Sequence, residues 1–332
     1  MPIIQKIPFQ KLKILYIAGS GRSGSTLLEK ILGSIDGINA MGEVSFIWDR
    51  GFNKNLLCGC GKRFLECDTW REIRLNAFDG EDKIDIDWLS EETQFIERYR
   101  RLPLFLFSHY FSRFKKSIEL CCGFFLKIYL GASKTYKSKV LIDSSKRLHG
   151  YVLENIPEIK LYVLHLVRDA RATAYSWARK KEYQKDKEKV IYFPRFNAFF
   201  ASILWCFDNL SAEILGIHSK RYMRVRYEDL VSDPKGIVNR ILSFVEEPQL
   251  SLPQFKGSIV HLTGQHSVAG NPVRFKQGEI MIERSSEWEK GNSIKTKFAV
   301  ALIAWPFLLR YGYYNTSNRP EGQSSTGLPV GE

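Results

Sequence analysis

The sequence predicts an α/β fold built on a parallel sheet, and three observations carry that prediction. Short continuous apolar runs of strand length recur along the chain, and stretches of helical composition follow them. The first run opens into a glycine-rich turn and then an amphipathic helix. The 332 residues and their 44% hydrophobic content suffice for a large core and exclude a mostly disordered chain. That length permits one large domain or two small ones, and no strict short repeat points to a solenoid.

Residues 1–13 carry lysines among scattered apolar positions, without the unbroken apolar stretch and cleavage site of a secretory signal. The nearest approaches to a membrane span are residues 102–107, 120–130 and 298–309. Lys127 interrupts the second, and the third is short and contains Pro306. The expectation is a cytoplasmic chain.

Residues 13–18 (Lys-Ile-Leu-Tyr-Ile-Ala) suit a buried parallel strand. They enter Gly19-Ser-Gly-Arg-Ser-Gly-Ser-Thr26, and residues 26–32 have helical spacing with Gly33 placed to close the helix. Glycines let the backbone approach a ligand, and helix N-terminal amides point at an anion. The spacing is that of a nucleotide-triphosphate loop, with Gly19, Gly24 and the hydroxyl of Thr26 in place. Ser25 stands where such a loop has lysine, which counts against ordinary nucleotide hydrolysis, and Arg22 supplies a cation inside the loop instead. A tight strand–helix turn with no ligand is the plainer alternative.

Residues 89–136 are rich in Phe, Tyr, Leu and Arg and read as amphipathic helices inserted before the next strand. Helical packing over the sheet is the plain reading; an acceptor lid or a membrane-surface contact is the sharper one. Further strands are expected at 139–142, 161–167 and 222–226, and further helices at 170–181, 196–217 and 229–245. Arg168 follows the 161–167 strand at its carboxyl end, where ligands of open α/β sheets bind, and Ser176 lies about two turns along the next helix. Residues 315–332 are polar and read as a loose tail.

Together these residues resemble the sulfotransferases that use 3′-phosphoadenosine 5′-phosphosulfate (PAPS). Residues 19–26 resemble their 5′-phosphosulfate loop, and Arg168 with Ser176 their 3′-phosphate site. Arg226-Tyr-Glu-Asp-Leu230 resembles the segment whose tyrosine lies near the adenine. Leu57-Cys-Gly-Cys-Gly61, Asp143-Ser-Ser-Lys146, Gly270-Asn-Pro-Val-Arg-Phe275 and the ending from Trp305 to Tyr313 resemble a bacterial branch of the superfamily. The resemblance runs in order over residues 13–313. It implies a P-loop-like three-layer fold with a central parallel sheet and an inserted helical region, a single domain over residues 1–314.

It also implies the chemistry: in-line transfer of a sulfuryl group to an acceptor hydroxyl or amine, with charge stabilisation, a base and no metal. The implied cofactor-binding residues are Gly21, Arg22, Ser23, Gly24, Ser25, Thr26, Arg168, Ser176, Tyr227, Asn271 and Arg274. Arg22 and Lys146 are the expected contacts to the moving group. Met41-Gly-Glu43 resembles the Gly-Glu segment of tyrosylprotein sulfotransferases, which makes Glu43 the first candidate base and His149 the second. A structural ion pair is the plain alternative for Glu43, and a solvated side chain for Lys146. The expected partner is a small-molecule, carbohydrate or lipid acceptor. Nucleic acid is not expected, and peripheral membrane contact is left open.

Two features stand outside that chemistry. Cys58, Cys60 and Cys67 invite a metal, but their spacing is not a standard finger. A fourth ligand is not obvious; His109, Glu66 and Asp68 are candidates, and structural thiols or one labile disulfide are equally open. No metal is therefore expected. The chain carries 49 Lys plus Arg against 36 Asp plus Glu, a charge of +13 that suits an anionic partner. Residues 171–189 concentrate seven basic residues against three acids and read as a solvated helix end, or as the rim of a cofactor mouth.

Overall fold

The computed structural model describes residues 11–78, 84–107, 110–186 and 189–314. The first apolar run forms β1 (Leu12–Ala18), buried from Ile14 onward. The glycine turn leads into α1 (Ser25–Leu32), whose Gly33 amide closes on the Glu29 carbonyl. β2 (Ile38–Ala40) follows. α2 (Asp68–Phe78) precedes the region read as an insertion, which folds as α3 (Ile86–Ile96), α4 (Leu102–Leu106) and the long α5 (Ser112–Tyr136). The sheet resumes with β3 (Val140–Asp143), α6 (His149–Glu154), β4 (Ile159–Val167) and α7 (Ala170–Ala178). A hairpin, β5 (Glu182–Asp186) and β6 (Lys189–Tyr192), precedes α8 (Ala198–Ser219) and β7 (Tyr222–Arg226). The chain continues through α9 (Tyr227–Ser232), α10 (Pro234–Phe244), β8 (Phe255–Lys256), β9 (Ile259–Leu262) and β10 (Gly278–Met281). It ends with α11 (Glu287–Gly291) and α12 (Ile294–Arg310).

The central sheet has the order β2-β3-β1-β4-β7 with every pair parallel, so the fold is α/β as the sequence predicts. Ile14 faces Leu141 on one side and Leu161 on the other. Successive β1 side chains alternate between faces. Ile14, Tyr16 and Ala18 join Trp48, Phe125 and Tyr129 in one core; Leu15 and Ile17 join Leu28, Ile31 and Ile241 in the other. The inserted helices contribute Phe105, Phe114 and Ile128 to the first core, so α4 and α5 pack onto the sheet. Cys121 and Cys122 lie buried there as small apolar groups. A third cluster joins α7, α8 and α12 through Ala174, Trp205 and Ala304. α8 is long and apolar enough to cross a membrane by length and composition, but 44% of that stretch is buried in the protein.

Two element expectations are corrected. The helix expected over 229–245 is two, because Pro234 has no amide to donate to a continuing helix; Asp233 caps the second by accepting from the Gly236 amide. The helix expected to reach Lys181 stops at Ala178, and Glu182 begins the hairpin, which buries Tyr183 and Gln184. Residues 315–332 and His109 lie outside the described residues.

Candidate functional site

β1 stands between β3 and β4, so the loop leaving its carboxyl end meets the ends of both neighbours. There a cleft of about 340 Å³ opens. The loop reaches it because Gly24 holds φ 93°, and a Cβ on that residue would sit 2.5 Å from the Tyr227 ring. The first turn of α1 carries no acidic residue and no side-chain cap, which leaves the Ser25 and Thr26 amides facing outward for an anion. Gly21, Arg22, Gly24, Ser25 and Thr26 all line the cleft. Ser23 does not; its hydroxyl donates to the Ser20 carbonyl (2.7 Å) and braces the turn.

Arg22 adopts φ 69°, a left-handed backbone that a non-glycine residue holds only when its surroundings enforce it. Its guanidinium lies 3.8 Å from the Phe193 ring centre and 4.8 Å from that of Trp177. Its Nε and one terminal nitrogen are buried without a hydrogen-bond partner, and burial pushes its pKa down to about 10. Arg168, beyond β4, donates to the Arg22 carbonyl (3.2 Å) and stacks 4.4 Å from the Tyr227 ring centre. Its Nε is likewise buried without a partner. Ser176 lines the same wall, and Lys181 donates to its hydroxyl (3.4 Å). Burial and then the positive charges of Arg22, Arg179 and Arg168 hold the Lys181 pKa below its ordinary value. Five basic side chains line the cleft against two acids, which makes it a site for an anion.

Glu43 and Lys146 line the same cleft and meet each other there. The Lys146 ammonium lies 3.4 Å from one Glu43 oxygen, and Arg50 lies 3.3 Å from the other. Lys146 and Arg147 hold φ 63° and 54°, a double left-handed turn after β3. Neither Glu43 nor Lys146 is placed by its own contacts alone. The buried Glu29 of α1 accepts from the Gly42 amide (2.6 Å) and from the Ser144 hydroxyl (2.7 Å), joining the loop after β2 to the loop after β3. Burial is the main reason its pKa rises to about 7. Nothing in the local sequence marked Glu29, because its partners come from other loops.

The remaining sequence-expected residues divide. Tyr227 and Asn271 line the cleft, and the Asn271 amide donates to the Thr26 hydroxyl (3.3 Å). Arg274 does not line it. Its buried guanidinium donates to the carbonyls of Gly270 (2.7 Å) and Leu57 (3.2 Å) and to Tyr183 (3.2 Å). His149 is also elsewhere, fully buried, with Nδ1 2.6 Å from Glu97 and Nε2 3.3 Å from Asp143. Burial opposes its charge, but Glu97 and Asp143 outweigh it and push its pKa up to about 9. His165 is a core histidine between Tyr222 (2.6 Å) and Asn209 (2.7 Å). Of the basic run, Lys181 lines the cleft, and the side chains of Lys187 and Lys189 lie outside the description. A second cavity of about 600 Å³ is lined by Phe46, Thr93, Glu97, Tyr99 and Arg147, close in sequence to Glu43 and Lys146.

Comparison with known proteins follows the same line. Residues 13–299 match the family model described as a sulfotransferase domain. No curated protein sequence matches the chain. Among solved structures, the chain is similar to the sulfotransferase domain from the Synechococcus PCC 7002 olefin synthase, at 18% identity and a TM-score of 0.50. That likeness covers 91% of this chain and 97% of that one, so it speaks to the whole fold. A sulfotransferase domain from the curacin biosynthetic pathway is similar at 14% identity and a TM-score of 0.47, covering 90% of this chain and 97% of that one.

Proposed function

The chain belongs to the sulfotransferase-domain family, and on that premise we propose that it uses PAPS to sulfate a hydroxyl or amine. The observation that carries the proposal is the pair of arginines at the glycine loop. Arg22 presents two buried guanidinium nitrogens without a partner and Arg168 one, beside the uncapped N-terminus of α1. Buried donors left unmet are costly, and an anion with phosphate groups at both ends satisfies them together.

PAPS supplies a sulfuryl group already activated by its link to phosphate. The Ser25 and Thr26 amides and hydroxyls hold the 5′-phosphate, and Arg168 with Ser176 holds the 3′-phosphate. Tyr227 packs near the adenine. Arg22 stabilises charge at the sulfuryl end, with Lys146 on its other side. Glu43 takes the acceptor's proton at a carboxylate oxygen. The cavity beside Phe46, Tyr99 and Arg147 receives the acceptor, a small molecule, carbohydrate or lipid with a hydroxyl or amine to offer.

The test is thermal stabilisation by 3′,5′-ADP, ADP and ATP at matched concentration. Stabilisation by 3′,5′-ADP well above the other two is expected, and Arg168→Ala should erase the difference. A response to Mg-ATP alone overturns the proposal, and a preference that survives Arg168→Ala overturns the 3′-phosphate assignment.

A further inference from the structure

The three crowded cysteines gain a fourth neighbour from a distant part of the chain. His266, in the segment after β9, brings Nδ1 to 3.2 Å from the Cys67 sulfur and 4.0 Å from that of Cys58. The Cys60 and Cys67 sulfurs are 3.7 Å apart, and all four donor atoms lie within 4.8 Å of one another. A disulfide needs ~2.05 Å between sulfurs, and all three cysteines are free thiols. A tetrahedral zinc with Zn–S of ~2.3 Å and Zn–N of ~2.05 Å sets S···S edges of ~3.8 Å and S···N edges of ~3.5 Å. The Cys60–Cys67 separation matches the S···S edge, and the two separations to His266 bracket the S···N edge.

The backbone around the donors is shaped to hold them. Leu57 bridges Arg63 across a tight turn in which the Cys58 amide donates to the Lys62 carbonyl (2.8 Å). The Gly59 amide donates to the Ser267 carbonyl (2.9 Å), and a Cβ on Gly59 would lie 2.6 Å from the Gln265 carbonyl oxygen. The Trp70 indole donates to the His266 carbonyl (2.7 Å). Cys58 and Cys67 are buried, with Cys60 and His266 half-buried.

We propose that Cys58, Cys60, Cys67 and His266 form a structural zinc site. Three thiols and one imidazole fill a tetrahedral shell, so no position remains for an activated water. Binding releases the three thiol protons and forms three Zn–S bonds and one Zn–N bond, with no change of oxidation state. None of the four residues lines the cleft. The metal acts as a clasp between the turn at 57–67 and the segment after β9. Two residues past His266, the Val268 amide donates to the Met41 carbonyl (2.9 Å), next to Gly42 and Glu43.

Tag-free full-length protein, purified under reducing conditions with zinc in the medium, should carry one zinc per chain by plasma mass spectrometry. Cobalt reconstitution should give thiolate-to-cobalt charge-transfer bands and the visible absorption of a tetrahedral ion. Cys67→Ser should weaken both readouts, and Cys121→Ser should leave them intact. The wild-type cobalt spectrum reads the site even where a variant fails to fold. Wild type that stays metal-free, with its Tm unmoved by added zinc, overturns the proposal. So does zinc that persists when Cys58, Cys60 and Cys67 are all replaced by alanine. Both outcomes are independent of nucleotide binding.

Discussion

A carboxyl group outside the cleft sets where two of its residues stand. Glu29 bridges Gly42 and Ser144, and so fixes the loops that carry Glu43 and Lys146. Burial raises its pKa from the ordinary 4.5 to about 7. Between those values the folded chain keeps a proton that the unfolded chain has lost, so stability falls as pH rises. The expected slope is at most ~1.4 kcal/mol per pH unit. Glu29→Gln still accepts from Gly42 and can donate to Ser144, so it should keep the loops joined and lose that slope. Urea unfolding from pH 5 to 8 checks this, and an unchanged slope in the variant assigns the titration to another group. Glu43→Gln tests the neighbouring role. Turnover of labelled PAPS in a metabolite extract should drop by about 10²–10⁴-fold, with stabilisation by 3′,5′-ADP retained. Lost nucleotide stabilisation would place Glu43 in binding instead. The glycine loop was legible in the sequence because its spacing is local. Glu29 and His266 were not, because Ser144 lies 115 residues from the first and Cys58 208 residues from the second.

At the scale of elements, β1, β3 and β4 were legible as apolar runs, since nearly all their residues are buried; β2 has three residues and the edge strand β7 carries two arginines. The β5–β6 hairpin was hidden in a run of charges; its strands pair antiparallel, and Tyr183 and Gln184 tie it to the buried Arg274. The junction of β3 and α6 is held by a buried chain of charge: Glu97, His149, Asp143 and Tyr129 in sequence of contact. Burial alone would raise Asp143, but His149, Ser145 and Tyr129 outweigh it and keep its pKa below the ordinary range. The histidine's contribution is full below its ordinary 6.5 and is lost as pH rises through about 9. His149→Gln should cost ~3–5 kcal/mol, as for other broken buried pairs. It should also flatten the loss of stability between those two pH values. A variant that loses stability over that window as steeply as the wild type refutes the assignment.

For the whole molecule, the +13 charge was legible only as an excess. Five basic and two acidic side chains around the cleft account for a small share of it. Strand order was not legible at all, because pairing is a property of the folded sheet and apolar runs carry no address. That order has a kinetic consequence. β1 is flanked by β3 and β4, with Ile14 paired to Leu141 and Leu161. During synthesis at ~5–20 residues per second, the most apolar early segment waits on the order of ten seconds for either neighbour. Long-range parallel pairing of this kind is slow to close. The nascent chain therefore exposes β1 and the helices of the insertion before either strand that flanks β1 exists to receive them. The anion loop, braced by Arg168 through the Arg22 carbonyl, cannot take its final form before β4 has been made.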